Sequence, residues 1–79
     1  MIPSKASTEP VKVASIFEAN YDYWQNHFEV IEIKGKTIKL QELRFNPMFG
    51  PEIHSKRYTV KNDVASVKIG SHYYRHIIG

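Results

Sequence analysis

The sequence predicts a mainly β protein, a small and partly open antiparallel barrel of the SH3-like or OB-like kind with five to six short strands. Short apolar runs recur along the chain, and stretches rich in glycine, proline and asparagine separate them. A chain of 79 residues forms one small domain with a single core. A barrel is the economical arrangement at this length because it leaves few strand edges exposed.

The N-terminal third of the chain predicts an arm, a strand and a loop. Residues 1–10 contain two prolines and are typical of a flexible N-terminal arm, so residues 11–79 form the predicted barrel domain. The stretch "VKVASIF" (11–17) favours a strand because Val, Ile and Phe prefer extended backbone. Its apolar residues also fit helical spacing, so a short helix near residues 13–25 is the alternative. The polar stretch "EANYDYWQNH" (18–27) predicts a long loop.

The stretch "FEVIEIKGKTIKLQELRF" (28–45) predicts a β-hairpin. Two apolar runs flank Lys-Gly-Lys, and Gly35 supplies the positive φ that a tight turn needs. The apolar residues change parity between Leu40 and Leu43, which predicts a β-bulge at Gln41-Glu42.

The C-terminal half predicts the remaining strands. "NPMFGPE" (46–52) interrupts the pattern, and "IHSKRYTV" (53–60) is typical of an edge strand. "KND" (61–63) predicts a turn. "ASVKI" and "HYYRHII" flank Gly70-Ser71, a pair suited to a type II′ hairpin turn.

Composition limits the cellular setting. The chain contains no cysteine, which excludes disulfides, thiolate metal sites and cysteine nucleophiles and favours a reducing cytoplasm. No apolar run approaches the roughly 18 residues of a membrane span, and the N-terminus has no apolar signal core. We therefore expect a cytoplasmic protein. The mild excess of 11 Lys and Arg over 8 Asp and Glu adds slight weight to a nucleic-acid partner.

No motif predicts a catalytic, cofactor or metal site, so we expect a protein that is not an enzyme. "GKT" (35–37) lacks the upstream glycine of a P-loop, since Val30 stands at that position. His72 and His76 have ligand spacing but no neighbouring carboxylate to complete a zinc site. No nucleophile elbow surrounds a serine.

Basic and aromatic residues are interleaved in a manner typical of small barrels that bind single-stranded nucleic acid. In such proteins cations follow the phosphates and rings stack on bases, each stack contributing roughly 1–3 kcal/mol. If the stretches 55–60 and 68–76 pair, one face holds Lys56, Tyr58, Lys68, Tyr73 and Arg75. The predicted nucleic-acid-binding residues are Lys34, Lys36, Lys56, Arg57, Tyr58, Lys68, Tyr73 and Arg75.

The alternative is a protein-binding module, a monomer or a homodimer, that docks on and inhibits a host enzyme or defence complex. Tyr and Trp are enriched at interface hot spots, and apolar residues at a loop tip favour a partner surface. The predicted protein-binding residues are Tyr21, Tyr23, Trp24, Met48 and Phe49.

Residues 19–43 resemble a family of small uncharacterised proteins of bacteriophages and mobile elements. The family pattern is an apolar strand, a Tyr-Asp loop with a following Asn and aromatic residue, and a hairpin with Gly-Lys-Thr. The matching residues are Ile16, Phe17, Tyr21, Asp22, Asn26, Phe28, Val30, Gly35, Lys36 and Thr37. The resemblance implies phage or mobile-element origin and supports a strand at 11–17, but it implies no particular activity. Together with the lack of catalytic motifs, it leads us to expect a non-enzymatic accessory protein that binds nucleic acid weakly.

Overall fold

A computed structural model describes residues 4–21 and 24–78, which form one antiparallel sheet of seven strands. In chain order the strands are β1 (Ile16–Tyr21), β2 (Trp24–Lys34), β3 (Thr37–Glu42), β4 (Ile53–Arg57), β5 (Thr59–Lys61), β6 (Val64–Ile69) and β7 (His72–Ile77). In this described part of the chain, no helix has the length and apolar character needed to cross a membrane.

The sheet curls into a nearly closed barrel with the order β4-β3-β2-β1-β7-β6-β5. Only Tyr58 separates β4 from β5, so this bent stretch pairs with β3 through its first half and with β6 through its second half. The Tyr58 N–H donates to the Lys36 carbonyl at 3.0 Å, which fixes the bend. The predicted class, a small barrel of mainly β structure, is therefore confirmed. The strand count is seven because the predicted strand 53–60 is divided at Tyr58.

Alternating side chains fill the inside of the barrel. The first and last strands pair with each other, since Phe17 lies opposite His76 and also opposite Phe28 in β2. Phe28 makes edge-to-face contacts with Tyr74 and His54 at centroid distances of 5.2 and 5.6 Å. The buried core consists of Phe17, Ala19, Phe28, Val30, Ile38, Leu40, Ala65, Val67, Ile69 and Tyr74.

The turn chemistry predicted from the sequence is confirmed. Gly35 and Gly70 have φ angles of 59° and 63° in two-residue hairpin turns, where a side chain would be strained. Asn62 and Asp63 both have positive φ, 53° and 64°, as a type I′ turn requires.

The N-terminal third differs from its prediction. The first strand begins at Ile16 rather than residue 11, and the predicted loop 18–27 is instead part of a hairpin whose register runs from Ile16↔Glu29 to Tyr21↔Trp24. The alternative helix near residues 13–25 is wrong, because the described residues there form turn and strand. The physical reason is that polar residues of β1 and β2 face outward and bond to one another, so strand pairing outweighs their turn propensity.

The β-bulge lies in a different strand from the predicted one. The β2–β3 register shifts between Val30 and Glu32, which leaves Ile31 as the extra residue in β2. The β-bulge predicted at Gln41-Glu42 is wrong. The apolar residues change parity there because β3 ends at Glu42. Beyond it, Leu43 and Phe45 lie in a loop and are partly exposed.

The described part of the predicted N-terminal arm is hydrogen-bonded to the barrel. Ala6 forms a bridge with Ile77, and the Ser7 N–H donates to the His76 carbonyl at 2.9 Å. The Ile78 N–H donates in turn to the Lys5 carbonyl at 3.0 Å. Residues 5–7 therefore extend the pairing of β7 at its C-terminal end.

Candidate nucleic-acid interface

Strand register brings basic residues from distant parts of the chain into one row on the outside of the barrel. Lys34 lies opposite Thr37, and Thr37 lies opposite Arg57 on its other side. Lys36, in the β2–β3 turn, bonds through its carbonyl to the backbone that follows Arg57. Lys34, Lys36 and Arg57 are all exposed. We name this row, with its turn residue, the basic strip (Lys34, Lys36, Thr37, Arg57).

The basic strip leads into a shallow groove of about 230 Å³, the basic groove. It is lined by Arg57, Thr59, Ser66, Val67, Lys68 and Tyr73. The Lys68 Nζ lies 5.6 Å from the centre of the Tyr73 ring, within the range of a cation–π contact. The Tyr73 side chain is 65% exposed. The basic groove therefore combines two cations, an accessible ring and no carboxylate among the described residues that line it.

The cations of the basic groove are available to an anionic ligand. Within residues 4–21 and 24–78 the ion pairs are His27 with Glu18 and His54 with Glu52, and no Lys or Arg takes part in one. Arg57 and Lys68 therefore make no salt bridge there. Their charges face solvent.

Three residues of the predicted set lie elsewhere. Lys56 and Tyr58 alternate with Arg57 along the chain and so lie on the other face. Lys56 lies opposite the buried Ile38, and Tyr58 packs against the core. Arg75 donates to the Ser4 carbonyl at 2.7 Å and is half-buried. The pairing considered for residues 55–60 and 68–76 is not found: Thr59 and Val60 pair with Ser66 and Ala65, and β4 pairs with β3.

A buried carboxylate on the outer face of β1 escaped the sequence reasoning. Glu18 is 2% exposed and accepts four hydrogen bonds, from the Ser4 N–H and hydroxyl, from Gln25 and from His27. Burial by itself raises the pKa of Glu18, but the hydrogen bonds from Ser4, His27 and Gln25 outweigh it and hold the pKa below its ordinary value. The signal in the sequence was the polar alternation of residues 18 and 20 in β1 and of residues 25 and 27 in β2.

A second cleft, of about 320 Å³, lies on the other side of Tyr73. We name it the base cleft (Glu18, Asn20, Tyr21, Ser66, Tyr73, Tyr74, Arg75). It shares Ser66 and Tyr73 with the basic groove. The Asn20 Nδ2 is buried and has no hydrogen-bond partner among the residues that the structure describes.

The predicted protein-binding residues fall into two groups. Tyr21 and Trp24 form an aromatic cluster with His72, with ring centres 4.6 to 5.7 Å apart, and Trp24 also packs against the core. Met48 and Phe49 stand at the tip of the β3–β4 loop and are 86% and 83% exposed. Tyr23 lies outside the described residues.

His72 and His76, which have the spacing of metal ligands in the sequence, lie in different surroundings in the barrel. His72 belongs to the aromatic cluster, whereas His76 stacks on Phe17 at 5.4 Å. Burial lowers the pKa of His76, and the backbone and charge of Glu9 only partly oppose that effect. Within the described ranges, no three His, Asp or Glu residues are placed to hold a metal ion together.

Comparison of the chain with protein-family models, curated proteins and solved structures gave no match.

Proposed function

We propose that this protein is a non-enzymatic accessory protein that binds single-stranded nucleic acid weakly through the basic groove and the basic strip. The observation that supports this most directly is the exposed Tyr73 ring beside Lys68 and Arg57 in a groove without a carboxylate. Lys34 and Lys36 extend the same positive surface. Lys56 and Tyr58 are left out of the proposed interface because they have the opposite parity, and Arg75 is left out of the phosphate contacts because it donates to the Ser4 carbonyl.

The expected chemistry is electrostatic attraction combined with stacking. Phosphates contact the cations of Lys34, Lys36, Arg57 and Lys68, and a base stacks on Tyr73, which contributes roughly 1–3 kcal/mol. Each phosphate neutralised on a single strand contributes about 0.7 to the slope of log affinity against log salt. Four such contacts give a slope near −3, so affinity should fall about 60-fold between about 50 and 200 mM salt.

The test is fluorescence anisotropy with short single-stranded DNA and RNA across that range of salt. The double variant Arg57→Glu and Lys68→Glu should bind more weakly, and its salt slope should be smaller in magnitude by about 1.4. Lys12→Glu is the matched control, since Lys12 is exposed and lies outside the basic groove. Absence of binding at low salt, or an unchanged slope in the double variant, contradicts the proposal.

A second candidate function, docking on another protein, is favoured by the neighbouring side chains of Met48 and Phe49. Two large apolar residues more than four-fifths exposed are costly to keep in water unless a partner covers them. Leu43, Phe45 and Ile53, in and beside the same loop, are also partly exposed. The resemblance to phage and mobile-element proteins, which remains a prediction, would make the partner a host enzyme or defence complex that the protein inhibits.

The second candidate is tested with the double variant Met48→Ser and Phe49→Ser. A host protein that binds the wild type should be lost by this variant and retained by Val13→Ser, which changes an exposed apolar residue elsewhere. The activity of the captured protein is then measured with and without the wild type. Equal capture by both variants shows that the loop is not the docking surface.

A further inference from the structure

We propose that Tyr73 divides the interface into a phosphate subsite and a base subsite, and that the base cleft takes one unpaired nucleobase. The base stacks on Tyr73 and turns its hydrogen-bonding edge toward Asn20. This inference rests on the proposed function, and it adds to that function a contact that reads the base rather than the backbone.

The strand geometry opens the base cleft beside Tyr73. Pairing between β1 and β7 runs from Ile16↔Ile77 to Glu18↔Arg75 and ends there, before it reaches Asn20 and Tyr73. On the other side of Tyr73, β7 remains paired with β6 through Lys68↔Tyr73. The Tyr73 side chain therefore lies between the two clefts. Arg57 and Lys68 are on one side of it, and the opening between β1 and β7 is on the other.

The charges of the base cleft suit a neutral ring better than a phosphate. Its two charged side chains are of opposite sign, and each is held by the barrel: Glu18 by four hydrogen bonds and Arg75 by the Ser4 carbonyl. The charge of the buried Glu18 carboxylate opposes a phosphate in the base cleft, whereas the described lining of the basic groove offers Arg57 and Lys68 and no carboxylate. The two sides of Tyr73 thus favour different parts of a nucleotide.

The hydrogen bonding of Asn20 supplies the second argument. A buried donor without a partner is unfavourable, and rotation of the Asn20 carboxamide into the base cleft that it lines would let an acceptor on the ligand satisfy Nδ2. A carboxamide presents a donor and an acceptor side by side, which matches the edge of a nucleobase. The volume of about 320 Å³ lies at the small end of ligand sites, as a single base requires.

The experiment compares two single-stranded oligonucleotides of equal length and charge, one with normal bases and one abasic throughout. The wild type should prefer the normal oligonucleotide by about 5- to 150-fold, the range that one stacked base gives. Tyr73→Leu should remove the preference, and Tyr73→Phe should keep it because the ring is retained. Asn20→Leu and Asn20→Ser should each reduce the preference, and circular dichroism verifies that each variant is folded.

The slope of log affinity against log salt distinguishes a failure of the base subsite from a failure of the proposed function. Asn20 and Tyr73 variants should leave the slope unchanged, since they remove no cation. Lys12→Glu changes an exposed residue that lines neither cleft, and it should leave both the slope and the base preference unchanged. Equal affinity of the wild type for both oligonucleotides, with the salt slope intact, overturns the base subsite alone. Failure of the wild type to bind either one overturns the proposed function as well.

Discussion

Replacement of Glu18 by Gln should destabilise the barrel strongly, because this carboxylate joins the N-terminal segment to β1 and β2. Three of its hydrogen bonds end on Oε2, from the Ser4 hydroxyl, Gln25 and His27, and the Ser4 N–H donates to Oε1. A carboxylate accepts all four. An amide has one oxygen and one NH₂ group, so at least one donor loses its acceptor and faces another donor.

The magnitude follows from that count. A hydrogen bond to a charged group contributes about 1.5–3 kcal/mol, and the weakest outcome removes one of them. We therefore expect Glu18→Gln to lower the free energy of unfolding by about 1.5–3 kcal/mol at neutral pH. The free energy of unfolding of a 79-residue chain is roughly 4–12 kcal/mol, so the loss is a large fraction of it. The corresponding fall in Tm is roughly 6–24 °C.

The assay is thermal and urea unfolding of the wild type, Glu18→Gln and the control Glu32→Gln at several pH values. Glu32 is exposed, and the same change there should stay within about 0.5 kcal/mol. Because the folded pKa of Glu18 is below its ordinary value of 4.5, its contribution is present above that pH and is lost as the pH falls through the folded value. The gap between wild type and Glu18→Gln should therefore narrow below about pH 4.5. Equal Tm values for the two Gln variants at pH 7 would refute the reasoning.

Three further predictions concern the core, a buried histidine and a turn. Ile38→Ala removes a completely buried side chain and should cost about 2–5 kcal/mol in urea unfolding, whereas Ile31→Ala, at the partly exposed bulge, should cost less. His76 is kept neutral by burial, so the unfolded state takes up more protons and stability should fall as the pH drops below its ordinary pKa of 6.5. His76→Phe, which keeps the stack on Phe17, should flatten the stability profile between about pH 5 and 7; an unchanged profile contradicts this. Gly35→Ala should cost about 1–2 kcal/mol through its φ of 59° alone, since no atom lies within 4 Å of the added Cβ, and a neutral result would show that the turn rearranges.

The sequence was informative where structure is decided by neighbouring residues. The two apolar runs on either side of Gly35 predicted the β2–β3 hairpin, and the glycine itself predicted the tight turn between its strands. Side-chain parity and turn φ angles depend on a few adjacent residues, so they can be predicted without knowing what a strand packs against.

The candidate site was predicted only in part because its residues come from separate strands. Lys68 and Tyr73 were expected to share a face with Lys56, Tyr58 and Arg75. They line the basic groove with Arg57 instead, because Lys56 and Tyr58 have the opposite parity. Arg75 was a candidate for phosphate contact, yet it bonds to a residue 71 positions away in the chain. No local pattern reports such a contact.

By itself, the sequence determined a small barrel of mainly β structure, the hairpin around Gly35 and the tight turns. Only the tertiary structure decided that β1 pairs with β7, that Glu18 is buried, and that Tyr73 stands between two clefts. The physical reason is that closure of the barrel joins strands far apart in sequence. The free energy of that pairing depends on twist, register and burial across the whole sheet, and it outweighs the local preference of Glu18 to His27 for a loop.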